Sequence, residues 1–110
     1  MDRLAEFRST IKRVIQDYAN KPSVGDIQVE TVFDENSDHY ELLYFGWQGH
    51  KRIHGTVIHI DIRDGKIWIH FDGTESGVAE DLVAAGIPHD HIVLGWHSPE
   101  LRKHTAYAVG

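Results

Sequence analysis

The run Ile58-His59-Ile60-Asp61-Ile62-Arg63-Asp64-Gly65-Lys66-Ile67-Trp68-Ile69-His70-Phe71 decides how this chain folds. Two apolar, largely β-branched stretches flank Asp64-Gly65, a favoured pair for a two-residue hairpin because both central positions need positive φ. A type I′ turn sets Arg63 against Lys66, Ile62 against Ile67, Asp61 against Trp68 and Ile60 against Ile69. Continued outward, the same register sets His59 against His70 and Ile58 against Phe71. Side chains alternate faces along a strand, so Ile58, Ile60, Ile62, Ile67, Ile69 and Phe71 are predicted to share the core face. His59, Asp61, Arg63, Lys66, Trp68 and His70 then share the other.

Upstream, Ile27, Val29, Thr31 and Phe33 alternate with Gln28, Glu30 and Val32, the pattern of a half-buried strand. A polar turn, Asp34 to Asp38, leads into a second strand from His39 to Trp47, rich in Tyr, Phe and Leu. Gly46 and Gly49 mark a loop around Gln48, His50 and Lys51. Before these strands, Leu4, Phe7, Ile11, Val14, Ile15 and Tyr18 recur every three or four residues, which makes one apolar helical stripe. Lys21-Pro22 ends that helix, which is predicted to lie on the sheet of its own domain.

Downstream, Asp72 to Gly77 opens a short helix with Thr74 or Ser76 as N-cap, and Val78, Leu82 and Val83 face inward. Gly86 closes it and Pro88 follows. The run Ile92 to Trp96 is compatible with a further short strand, and Ser98-Pro99 starts a final helical turn. The fold class is therefore α+β. An antiparallel meander of about four strands carries the N-terminal helix on one face, and a short helix, the short strand and a C-terminal helical turn follow.

The chain has 110 residues with 41% hydrophobic and 25% charged positions, and one core serves a chain of this length, so residues 1–110 read as a single domain. It has no cysteine, which excludes disulfides, thiolate metal centres and cysteine nucleophiles. No apolar run approaches the roughly 20 residues of a membrane span. Asp2, Arg3 and Glu6 interrupt what would be a leader's apolar stretch, so a cytoplasmic location is expected.

Net charge is −6. Between Pro22 and His50 stand Asp26, Glu30, Asp34, Glu35, Asp38 and Glu41 without a single Lys or Arg. That stretch is either a solvated edge or a face for a basic partner. Autonomous nucleic-acid binding is disfavoured, since phosphates are gripped by Lys and Arg. Arg8, Lys12 and Arg13 are the nearest thing to a basic patch.

Nine histidines raise the question of a metal. His59 opposite His70, with Asp61 two residues along the same face, gives two nitrogens and one carboxylate. His54 falls on the opposite face, so no third nitrogen completes the set. No metal, no cofactor and no catalytic residue are therefore expected. A metal-dependent nuclease or hydrolase subunit using His59, His70 and Asp61 is the alternative. The Asp61, Asp64 and Lys66 trio is weak for the same chemistry, because Asp64 is committed to the turn. Ser98 beside His97 serves as a helix cap, and Gly73-Thr74-Glu75-Ser76-Gly77 lacks the lysine of a phosphate-binding loop. Trp68 on the polar face calls for cover, either from a partner or second copy or from the chain's own C-terminal segment. Trp68, His59, His70 and Arg63 are accordingly the interface candidates.

Taken together, several spaced runs resemble the XisI family. They are His59-Ile60-Asp61-Ile62, Asp64 to Ile69, Asp72-Gly73-Thr74-Glu75, Gly77-Val78-Ala79, Gly86-Ile87-Pro88 and Ile92-Val93-Leu94-Gly95. Tyr40 to Trp47, Arg52-Ile53-His54-Gly55 and the ending His97 to Val109 are similar to that family as well, so the resemblance covers essentially the whole chain. His70, Trp96 and His104 depart from the family's common pattern. The family comprises the fdxN-element excision controlling factors of cyanobacteria. The resemblance implies an accessory role in DNA excision during heterocyst differentiation, with the strand chemistry left to a separate recombinase. It also implies a XisH-like protein as partner and indirect contact, if any, with recombinase and DNA; a homo-oligomer is expected from Trp68, and no membrane contact from the lack of a long apolar run.

Overall fold

The computed structural model describes residues 3–23 and 25–110; Asp2, one of the charges counted against a leader, lies outside them. The elements run α1 (Arg3–Ala19), β1 (Asp26–Asp34), β2 (His39–Gln48), β3 (Lys51–Arg63), β4 (Lys66–Asp72), α2 (Val78–Ala84), a 3-10 turn (His89–His91), β5 (Ile92–Leu94) and α3 (Pro99–Arg102). One sheet holds the strands in the order β1-β2-β3-β4-β5. The first four form the expected antiparallel meander, whereas β5 pairs with β4 in parallel. A parallel neighbour needs a crossover, and α2 supplies it.

Helix α1 buries Phe7, Ile11, Val14, Ile15 and Tyr18, the predicted stripe, with Leu4 packed at its margin. Beneath it lie Tyr40 and Leu42 of β2, Ile58, Ile60 and Ile62 of β3, and Ile67 and Ile69 of β4. Each such side chain withdrawn from water contributes about 1.5–3 kcal/mol. Asp64 and Gly65, at φ 51° and 77°, make the predicted hairpin turn. Gly46 lies inside β2 at φ 146°, where an added Cβ would come 2.0 Å from the Asp26 carbonyl oxygen. β2 therefore runs through Gly46 to Gln48, and the loop is only Gly49-His50.

The hairpin register holds from Arg63–Lys66 to Ile60–Ile69 and then shifts by one, so His59 opposes Phe71 and Ile58 opposes Asp72. His70 is the extra residue of a β-bulge. The expected pairs His59–His70 and Ile58–Phe71 are not formed, and Phe71 is 49% exposed on the outer face instead of joining the core. The bulge has a physical reason in Asp72. It turns that side chain to the helix side, where its carboxylate accepts from the Val78 and Thr74 N–H groups, both at 2.9 Å. Asp72 thus does the capping expected of Thr74 or Ser76. Gly77 is the N-cap residue and makes no side-chain cap bond, Thr74 Oγ1 accepts from Gly77 N, and Ser76 bonds the Tyr18 hydroxyl.

The far end of α2 closes as predicted, with Gly86 N and Ile87 N donating to Val83 O and Leu82 O. Ser98 caps α3 by accepting from Leu101 N. Among the described residues no helix is long and apolar enough to cross a membrane.

Candidate functional site

The sheet face opposite α1 carries the chemistry. β2 and β3 pair so that His39 sits directly across from Asp61, and His59 is two residues along β3 on the same side. The bulge in β4 swings His70 in from the third strand. Three imidazoles thus surround Asp61, whose side chain is only 13% exposed, and a second carboxylate, Glu41, faces His59 and lies 3.4 Å from His39 Nε2.

His39 Nδ1 lies 2.8 Å from Asp61 Oδ1 in a hydrogen bond. His59 Nε2 is 3.3 Å from the same oxygen, and His70 Nε2 is 3.3 Å from Oδ2. Neither of these two contacts is aligned as a hydrogen bond, and both nitrogens are shut off from water without another partner. Arg63 Nη2 reaches Oδ2 at 3.4 Å from a largely exposed side chain. The rings adjoin, with centroids 4.6 Å apart for His39–His59 and 4.8 Å for His59–His70. Burial pushes the His70 pKa down, and the neighbouring Asp61 charge only partly opposes it. The ligand atoms of His39, His59 and Asp61 all fall within 4.8 Å of one another. His39 is the residue that sequence reasoning missed. Its place depends on the β2–β3 register, which a second bulge at Val57 shifts between Leu42–Ile58 and Leu43–Thr56.

Trp68 is on this face as predicted, yet the chain covers much of it. The Arg102 guanidinium lies 5.1 Å over its ring, and Gly95 and Gly110 pack beside it. A bridge between Val93 and Ala108 holds that C-terminal segment in place. The exposed aromatics of the outer face are instead Trp47 and Phe71, each 49% exposed.

The acidic stretch is answered from within. Arg8 makes a two-pronged pair with Asp38, 2.7 and 3.2 Å, and Lys12 binds Glu35. The Arg8 guanidinium holds the Asp38 carboxyl below its ordinary range. Two of the three cations proposed for DNA are therefore engaged with the chain's own carboxylates. Asp61 and Asp64 also part company, since Asp64 occupies the turn and Lys66 donates to the Gly110 carbonyl.

The XisI protein family model matches residues 1–109. The chain belongs to the XisI family. A XisI-like protein from Anabaena variabilis ATCC 29413 has a similar solved structure, with TM-score 0.90 and 39% identity over 97% of this chain and 99% of that one. The fdxN element excision controlling factor XisI from the same organism superposes with TM-score 0.84 at 35% identity, over 99% of this chain and 100% of that one. No curated protein matches the chain. The α+β architecture is thus that of XisI-like proteins, short parallel β5 included in a mostly antiparallel sheet.

Proposed function

We propose that this XisI-family chain is a non-catalytic, cytoplasmic accessory factor that controls excision of a DNA element. It would act through protein contacts with a XisH-like partner and with further copies of itself, in the heterocyst differentiation of a cyanobacterium. The observation that carries this reading is the match along residues 1–109 to the XisI family, together with a similar structure bearing the name of an excision controlling factor. Charge supports it. At −6, with Arg8 and Lys12 paired internally, the chain is poorly equipped to hold DNA alone.

An accessory factor needs a surface, and the outer sheet face offers one. Phe71 is exposed there across from His59, beside the polar centre of His59, Asp61, Arg63 and His70, and Trp47 is exposed at the far end of β2, across from Arg52. Aromatics ringed by polar groups are the usual composition of a binding hot spot. Trp68 contributes the edge of this face, bounded by the C-terminal segment.

Light scattering on the chain, on its XisH-like neighbour, and on their mixture with and without DNA tests the reading. A stable mixed complex is expected. Phe71→Glu should weaken it at least tenfold while leaving the circular dichroism spectrum unchanged, because Phe71 makes no part of the core. Failure of the two proteins to associate would remove the proposed mechanism. Tight, salt-sensitive binding of DNA by the chain alone would replace it with direct recognition.

A further inference from the structure

We propose that His39, His59 and Asp61 form a binding site for one divalent transition-metal ion of the zinc class, with His70 beside it. The site goes beyond the accessory role and does not depend on it.

The first argument concerns what the imidazoles are left without. His59 Nε2 and His70 Nε2 are buried and make no hydrogen bond, although both point toward Asp61. Buried polar atoms seldom go unpaired in native proteins, and each one destabilises the fold. An ion held by His39, His59 and Asp61 would give His59 Nε2 the partner it lacks, whereas His70 Nε2 stays outside that ligand set. Protonation does not explain it as well. Imidazolium rings at His59 and at either of its neighbours, with centroids 4.6 and 4.8 Å away, would repel each other, and neither nitrogen is in line to donate to Asp61.

The second argument is geometric. Ligands about 2.0–2.1 Å from a tetrahedral ion stand about 3.3 Å from one another. His59 Nε2 and Asp61 Oδ1 are already 3.3 Å apart, His39 Nδ1 has to open from 2.8 Å as its hydrogen bond to Oδ1 gives way, and all three ligand atoms start within 4.8 Å of one another. The third argument is the donor set. Imidazole nitrogens with one carboxylate and no thiolate suit zinc, nickel, cobalt or iron, whereas magnesium and calcium prefer oxygen. Arg63 opposes a dication at Asp61 Oδ2, but its side chain is 60% exposed and free to turn into water.

Each ligand stands on a strand, and β2 and β3 are neighbours in the sheet with His39 directly across from Asp61. The ion would therefore tie adjacent strands at the centre of the outer face.

Chelator-treated, tag-free protein titrated with zinc chloride by calorimetry tests the site, with magnesium chloride as the contrast. One zinc is expected per chain, with affinity at least 100-fold above that for magnesium. Asp61→Asn and His59→Gln should each lower zinc affinity at least 100-fold, whereas His104→Gln, away from the cluster, should not change it. In the unaltered protein, the imidazole NMR signals of His39 and His59 should move together and finish at one equivalent of zinc, while those of His50 and His104 stay still. This second measurement needs no variant to fold. Absence of zinc binding would overturn the proposal, and so would binding that perturbs His50 or His104 and leaves His39 and His59 unmoved.

Discussion

Replacing Gly46 with alanine should be among the costliest single-methyl additions to this protein. The new Cβ would stand 2.0 Å from Asp26 O and 3.0 Å from Asp26 C, and Cβ atoms do not approach backbone closer than about 3.0 Å. One strand must therefore shift by about 1 Å, and both neighbours are backbone, so no side chain can yield. The residue is also at φ 146°, a conformation worth about 1–3 kcal/mol of strain in a residue with a side chain. Parting β1 from β2 at Asp26–Trp47 and Ile27–Gly46 loses one or two ladder bonds at about 0.5–1.5 kcal/mol each. Together these give about 1.5–6 kcal/mol. Gly65→Ala separates the two causes, because Gly65 has φ 77° but nothing within 4 Å of a Cβ. It should cost about 1–2 kcal/mol from conformation alone. Urea unfolding of both variants decides the matter, with midpoints about 1–2 M below the parent expected for Gly46→Ala. Equal losses in the two variants would refute the steric argument.

Three further predictions concern the caps, the ion pair and the C-terminal cover. Asp72→Ala removes the carboxylate that holds Thr74 N and Val78 N, and should destabilise the protein by about 2 kcal/mol in urea unfolding, with Asp72→Asn losing less. Asp38 is held below the ordinary carboxyl range by Arg8, so the unfolded chain takes up its proton first as pH falls. The stability it adds is complete above the unfolded pKa of about 4 and disappears as pH drops through the folded value. Asp38→Asn should therefore cost about 1–2 kcal/mol at neutral pH and flatten the acid limb of a plot of urea midpoint against pH. Arg102→Ala should uncover Trp68 and shift its fluorescence to the red, measured with Trp47 and Trp96 replaced by phenylalanine. The lost cation–π contact should cost about 0.5–1 kcal/mol.

Where a pattern is local, the sequence shows it plainly. The α1 stripe, the Asp64-Gly65 turn, the C-terminal end of α2 and the N-cap of α3 are written within a few residues of where they act. The bulges at Val57 and His70 are not, because each is set by a partner strand and a distant requirement. Phe71 reads as core by alternation alone. It faces water because Asp72 must turn inward to cap α2. The same dependence hid His39: its meeting with Asp61, 22 residues along the chain, rests on a register set by the Gly49-His50 loop and the Val57 bulge, whereas His59, Asp61 and His70 belong to one hairpin. Trp68 illustrates a different limit. Its position on the polar face was legible, but its cover comes from a bridge between Val93 and Ala108 that no short-range signal announces.

The two margins of the sheet are finished in different ways. β5 is sealed by the Ala108 bridge, so that margin offers little free backbone to a neighbour. β1 lies open, but its exposed positions include Asp26, Glu30 and Asp34. Two molecules meeting along β1 would bring these carboxylates into rows at the 4.7–4.9 Å spacing of paired strands, and the repulsion would part them. Growth of the sheet from molecule to molecule is blocked at one margin by the chain itself and at the other by charge. The exposed Phe71 and Trp47 therefore lie on a sheet whose margins do not invite edge-to-edge pairing.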